Sequence, residues 1–274
     1  MARPDYADMP RRRKNGGGCM MALIVAGFAI FSYLGSSQTN PVTGESQRVA
    51  MTTDQEIAMG LQAAPEMARQ FGGAVSGPDA AMVASMGEFI VRNSTAKSAP
   101  YEFEFHLLAD RKTVNAFALP GGQIFITRAL LERLQTEGQL AGVLGHEIGH
   151  VIERHSAEHM AKQQLTQGLT TAAVLASDSA TAGMVAQAVG QVVNMRYGRE
   201  DELESDEWGV RLMVESGYDP RALIGVMKIL EEASGGGNRP EFMSTHPNPG
   251  NRIERIKETI ATSFPDGLPE GLKP

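Results

Sequence analysis

Apolar positions change their period several times along this chain, and each change marks an element. The first is a run with no alternation and no charge. Cys19 to Leu34 is 16 residues long, and flanking glycines stretch it to 20, Gly16 to Gly35. A membrane-spanning helix needs roughly 20 residues. Arg11, Arg12, Arg13 and Lys14 precede it, and basic flanks stay on the cytoplasmic side. The pattern predicts a cytoplasmic N-terminus (1–18), a transmembrane anchor (19–35) and a remainder that lies across the membrane. The alternative is a cleaved signal and a secreted chain, because Gly35 and Ser37 offer small residues for cleavage. An acylated Cys19 fits poorly, since the cysteine precedes the run.

Residues 36–51 are polar with Pro41 and Gly44 and read as a linker. Thr53 and Glu56 stand at capping-box spacing, which predicts a helix through "TTDQEIAMGLQAAPEMARQF". A second helix is expected over 78–94. "YEFEFHLL" alternates and predicts a strand, and "VNAFALPGGQIFIT" predicts two short strands about a Pro-Gly-Gly turn. From Thr127 onward the period is helical. Residues 165–195 are apolar and rich in small side chains, but Gln167, Asp178, Gln187 and Gln191 interrupt them. They read as two packed helices near the site rather than a membrane span, placed to shield the cleft or to touch the bilayer. The stretch "SGGGNRPEF" reads as flexible, and the Pro/Gly-rich end, 264–274, as a flexible tail. The fold expected is α+β, mainly helical with a small β-sheet, as one domain over 52–263.

Composition narrows the chemistry. The chain has 274 residues, 42% of them hydrophobic, and a net charge of −7. Residues 1–18 carry five basic and two acidic groups, a net +3, so the rest carries −10. An acidic body argues against nucleic acid as a partner. Cys19 is the only cysteine, which excludes intramolecular disulfides and thiolate zinc clusters. A metal here must use His, Asp or Glu.

Only six histidines are present, and three fall within "GHEIGHVIERH", residues 145–155. Thr136 and Gln139 predict a helix from about Glu137. On it His146 and His150 share one face, about 6 Å apart along the axis. Two imidazoles at that spacing can grip one zinc ion, and Glu147 can take a proton from a water that the metal acidifies. A chance match on an amphipathic helix is the bland alternative. A third ligand is needed. The metzincin pattern fails, because Glu153 and Ser156 stand where its Gly and His belong. In "REDELESDEWG" Glu202 and Asp206 are four apart; Glu202 can complete a His-His-Glu site and Asp206 can hold the free N–H of a ligating His. Glu204 points off that face. His155 lies about 140° round the helix from His150, so it and His159 are expected to hydrogen bond or lie at the surface. His106 is expected to be structural.

"HEIGHVIERHS", "YGREDELESD" and "STHPNPGNRI", with "VNAFALPGGQIFITRALL" upstream, resemble the membrane-associated gluzincin peptidases that include HtpX, the CAAX prenyl protease, the mitochondrial Oma-type protease and BepA. The resemblance covers about residues 52–260. It implies a zincin-like (gluzincin) fold and one Zn2+ per chain on His146, His150 and Glu202, with Glu147 as general base and Asp206 in support. It also implies that Asn115, Ala116, Phe117 and Ala118 form an edge strand on which an extended substrate docks. His246 matches a family histidine with two open roles: a fourth ligand that closes the site, or a donor to the oxyanion. Arg252 matches a family arginine that stabilises the oxyanion or orients the site. The chain departs from the family in Ser205, where alanine is common, in having one candidate membrane segment, and in showing no helical repeat array after the domain. The function expected is a membrane-anchored zinc metalloendopeptidase with its catalytic domain on the extracytoplasmic side. It would cleave extended or misfolded polypeptide in envelope quality control. The alternative is a catalytically latent chaperone or binding protein with a closed zinc site. The oligomeric state is left open.

Overall fold

The computed structural model describes residues 16–176, 198–234, 242–246 and 250–274. The apolar run is one helix, α1 (Gly16–Gly35). The segment read as a linker is instead an antiparallel hairpin, β1 (Ser37–Thr39) with β2 (Ser46–Arg48). Its polar side chains are the reason it docks rather than dangles. Asn40 Nδ2 donates to the Ile152 carbonyl at 2.9 Å, and Gln47 Nε2 to that of Glu153 at 2.7 Å. The hairpin therefore closes the end of the helix that carries the histidine motif.

Helix α2 (Thr53–Gln70) starts one residue earlier than its expected box. Thr52 is the cap, and Gln55 completes the reciprocal pair. The shift leaves Glu56 free to turn inward, where it is buried against Arg154 and Tyr101. Helix α3 (Pro78–Arg92) follows, then a 3-10 turn and the sheet.

Strands β3 (Glu104–Leu108), β4 (Ala116–Ala118) and β5 (Gln123–Thr127) form a sheet in the order β3-β5-β4. β5 is parallel to β3 and antiparallel to β4. Phe117 and Phe125 stack at 4.9 Å on the face that packs with Phe71 at the end of α2. Ala116, Ala118, Ile124 and Ile126 point into the main core. Covering both faces explains why β4 and β5 are buried throughout. Gly121 in the β4–β5 turn has φ +80° and lies so close to α2 that a methyl there would stand 2.4 Å from Ile57 Cα.

The rest is helical: α4 (Arg128–Leu131), α5 (Glu137–Ile152), α6 (His155–Ala176), α7 (Arg199–Glu215), α8 (Ala222–Ser234), α9 (Phe242–Thr245) and α10 (Arg252–Ser263). Residues 177–197 and 235–241, which include half of the expected helix pair and most of "SGGGNRPEF", lie outside the described residues. The end of the chain departs from the flexible tail expected of it. The Gly138 amide donates to Pro274 O at 3.0 Å, and Asp219 and Lys273 exchange strand-like bonds with their neighbours. Lys273 also lies over the Tyr218 ring.

Candidate metal centre

Helix α5 begins where its capping residues predict. Thr136 Oγ1 accepts the Gln139 amide at 3.2 Å, although Gln139 Oε1 accepts from Gln135 rather than from the cap itself. Every residue from Gly138 to Ile152 is buried. This is a central helix, so its glycines set how near the neighbours come. A methyl on Gly149 would stand 2.8 Å from Trp208 Cβ and 3.1 Å from Ser205 Cα. Gly145 meets Gly209 in the same way. The glycines inside the histidine motif therefore let α7 lie against α5, which brings Glu202 and Asp206 to the histidines.

Four side chains converge. His146 Nε2 and His150 Nε2 are 3.1 Å apart, and His246 Nδ1 is 3.4 Å and 3.2 Å from them. Glu202 oxygens lie 3.0 Å from His246 Nδ1 and 3.6 Å from each of the other two nitrogens. All four residues are buried. Donors at about 2.0–2.1 Å from a shared tetrahedral ion are about 3.3–3.4 Å apart. The six separations bracket that value.

The proton count also suits a cation. A neutral imidazole has one N–H. In the tautomer with Nε2 bare, His146 Nδ1 donates to Asp206 Oδ1 at 3.0 Å and His150 Nδ1 to His155 Nδ1 at 2.9 Å. Two lone pairs then face each other, which a positive ion relieves. Burial first, and then the crowding of a further charge against the His146 and His246 rings, holds the His150 pKa well below its usual value, so it presents a lone pair. His246 goes the other way. Burial opposes its charge, but Glu202 and Glu147 outweigh burial and raise its pKa.

Behind His146, Arg252 grips Asp206 through Nε and Nη2 at 2.8 and 2.7 Å, and its Nη1 is 3.0 Å from Glu202. Burial pushes both acids up, but Arg252 on Asp206, and His246 with Arg252 on Glu202, outweigh it; Asp206 is held at about 2. Of the two roles open to Arg252, this geometry suits orienting the site.

Behind His150, His155 hydrogen bonds as expected, but not from the position that a continuous helix would give it. His155 is not turned away. Helix α5 ends at Ile152, and Arg154 takes a left-handed φ of 59°. The break cancels the 140° offset of a continuous helix and returns His155 to His150. Arg154 is fixed in that turn by Glu56, by the Met51 carbonyl at 2.8 Å and by Gln38. His155 Nε2 then meets Glu204 at 3.1 Å, and Ser205 Oγ approaches its other nitrogen. Glu204 is off the metal face, as expected, and still serves the centre indirectly. His159 pairs with Asp201 at 2.6 Å, and His106 hydrogen bonds Gln123 within the sheet.

Glu147 is fully buried, and neither carboxylate oxygen has a hydrogen-bond donor among the described residues. Burial raises its pKa. His246 Nε2 lies 3.7 Å from it. His246 itself sits under the Phe242 ring, at 4.4 Å, and the Phe242 amide donates to the Val114 carbonyl at the entrance to β4. A small cleft between the β4–β5 turn and α5 is lined by Ala118, Leu119, Gly121, His150 and Ser156.

A model of peptidase family M48 matches residues 79–260, more than half of the chain. The chain belongs to peptidase family M48. The matched span holds all four converging residues of this M48 chain, with Glu147, Asp206 and Arg252. The beta-barrel assembly-enhancing protease of Escherichia coli (strain K12) is 30% identical over 255 residues, covering 88% of this chain and 51% of that protein. The mitochondrial metalloendopeptidase OMA1 of Schizosaccharomyces pombe is 28% identical over 160 residues, 58% of this chain and 47% of that one. The Bos taurus OMA1 metalloendopeptidase is 29% identical over 165 residues. The M48 chain thus spans from about a third to about half the length of these relatives.

Proposed function

We propose that this M48 chain is a zinc metalloendopeptidase, anchored in a membrane by α1, that hydrolyses extended or misfolded polypeptide. The observation that carries the reading is the pair of features in one buried site: four donors at ligand spacing, and beside them a carboxylate with no hydrogen-bond donor among the described residues. His146, His150 and Glu202 would hold the ion, with His246 in the fourth position. The ion, when bound, supplies Lewis acidity toward a water and a peptide carbonyl. Glu147 accepts and returns the proton, a task that a carboxylate with its pKa raised by burial suits. Asp206 and His155 fix the tautomers of the two ligating histidines.

The substrate would add as a strand to β4. Hydrogen bonds Asn115 O–Thr127 N and Leu119 N–Gln123 O direct residues 115, 117 and 119 toward β5. By alternation the backbone of Ala116 and Ala118 faces the open edge. Asn115 Oδ1 has no donor among the described residues and is a further contact for it.

The four-donor geometry favours a closed resting form, in which His246 occupies the position a substrate needs. The basic residues before α1 support an extracytoplasmic domain. The relatives' names, a barrel-assembly protease and mitochondrial metalloendopeptidases, support a role in envelope protein quality control.

The full chain in detergent is tested on casein beside Glu147→Gln and a chelated sample. The expected outcome is slow cleavage by the native chain, none by Glu147→Gln or without metal, recovery on adding zinc, and faster cleavage by His246→Ala. One zinc per chain with no cleavage by either the native chain or His246→Ala would overturn the peptidase reading in favour of a zinc-closed binding protein.

A further inference from the structure

Helix α6 leaves the metal centre and runs alongside the anchor. A methyl on Gly168 would lie 2.4 Å from Ala29 Cβ, and one on Gly18 would lie 3.0 Å from the Leu175 carbonyl. Rising numbers on one helix meet falling numbers on the other, so the two are antiparallel. Val25, Phe28 and Ser32 of α1 share a groove with Ala161, Gln164 and Leu165 of α6. Leu175 therefore stands level with the cytoplasmic end of the anchor.

The side chains change character at one level. Lys162 lies within electrostatic range of Tyr33, and the Arg48 guanidinium sits 5.2 Å above the Tyr33 ring. An aromatic ring with cations near it is the composition found at a membrane–water boundary. Beyond Lys162, α6 has no charged residue through Ala176. Gln163, Gln164 and Gln167 fall within about 8 Å of that level along the axis, the depth of headgroups. Deeper, the sequence is "GLTTAAVLA". The hydroxyls of Thr166 and Thr171 donate to the Lys162 and Gln167 carbonyls, each at 2.8 Å, so they need no water. Leu169, Val174 and Leu175 are exposed, as are Leu23, Phe28 and Phe31 of the anchor. Both helices thus offer apolar side chains outward over the same depth.

We propose that α6 from Gln163 to Ala176 is a second membrane-embedded helix, paired with the anchor, whose exposed face is covered by lipid acyl chains. The inference rests on the reading of α1 as an anchor. It has a consequence for the substrate. His155 opens α6 seven residues before Lys162, about 10 Å by helical rise, and holds His150. The metal centre then stands close above the bilayer, and the polypeptides within its reach are those at the membrane surface.

The test uses the full chain with Cys19→Ser, reconstituted in vesicles of phosphatidylethanolamine and phosphatidylglycerol. Single cysteines are placed at Leu169 and Val174 in α6, at Leu23 in the anchor and at Glu45 in the exposed hairpin turn. Labelling by a charged, membrane-impermeant maleimide is read before and after detergent. The expected result is that Leu169→Cys and Val174→Cys resist labelling as Leu23→Cys does, and react once detergent is added, while Glu45→Cys reacts at once. Reaction of both α6 cysteines at the Glu45→Cys rate, with Leu23→Cys protected, overturns the proposal and leaves the anchor standing. Free reaction of Leu23→Cys removes the anchor, and the proposal with it.

Discussion

His146 and His150 stand one turn apart on the same helix, yet what backs them differs in kind. His146 rests on Asp206, which Arg252 clamps, and all three are buried. His150 rests on His155, a ring whose far nitrogen reaches Glu204, and Glu204 has 55% of its side chain exposed. One support is a closed ionic lock, and the other is a relay that ends in solvent. Buried charges that have lost a partner are costly, whereas exposed ion pairs contribute little. The same apparent role, fixing an imidazole, should therefore tolerate change very differently on the two sides.

The largest effect should come from Arg252→Ala. It leaves Asp206 and Glu202 facing each other across His146 without their shared cation. Removing one partner of a buried ion pair costs about 3–5 kcal/mol, a large fraction of a domain's stability. A steep fall in the thermal midpoint of the metal-free protein is expected. An unchanged midpoint would mean that the lock is not structural. Asp206→Asn is milder, because the amide keeps the size and one acceptor. It should keep the fold and weaken metal affinity by about 10- to 100-fold, the usual cost of losing a carboxylate behind a ligating histidine. Titration with a competing zinc chelator measures it.

How much of this asymmetry the sequence carries depends on what kind of signal placed each residue. His146, Glu147 and His150 come from helical spacing within one element, and Glu202 and Asp206 from the same spacing in another. Those periods survive folding, and both sets meet in the structure. The strand-turn-strand of 115–127 was legible for a related reason, since Pro-Gly-Gly has few conformations. His155 was not. Its position depends on a break at Arg154, an arginine in a left-handed turn that no local pattern announces. The turn is held from outside by Glu56, which lies 98 positions away. The docking of 36–51 was hidden likewise, because Asn40 and Gln47 look like loop residues until the carbonyls of Ile152 and Glu153 are there to meet them. Local periods can be read from the chain alone; contacts that cap one element with a distant one cannot.

The smallest effect, and the one that sharpens the comparison most, should come from Glu204→Gln. The glutamine keeps an acceptor for His155 Nε2 and removes only an exposed charge. An exposed pair contributes at most about 1 kcal/mol, or about fivefold in an equilibrium constant, and the change lies two contacts from the ion. Zinc affinity should fall by less than that bound, and salt should erase most of the difference, since exposed charges are screened. His155→Ala, which takes away the ring that holds His150 Nδ1, should cost more than Glu204→Gln and less than Asp206→Asn. Measured in one chelator competition series, the order Asp206→Asn, His155→Ala, Glu204→Gln would establish that burial of the supporting charge sets its worth. A Glu204→Gln loss as large as that of Asp206→Asn would show the opposite: the relay behind His150 then works as a coupled unit, and its solvent end matters as much as the lock behind His146.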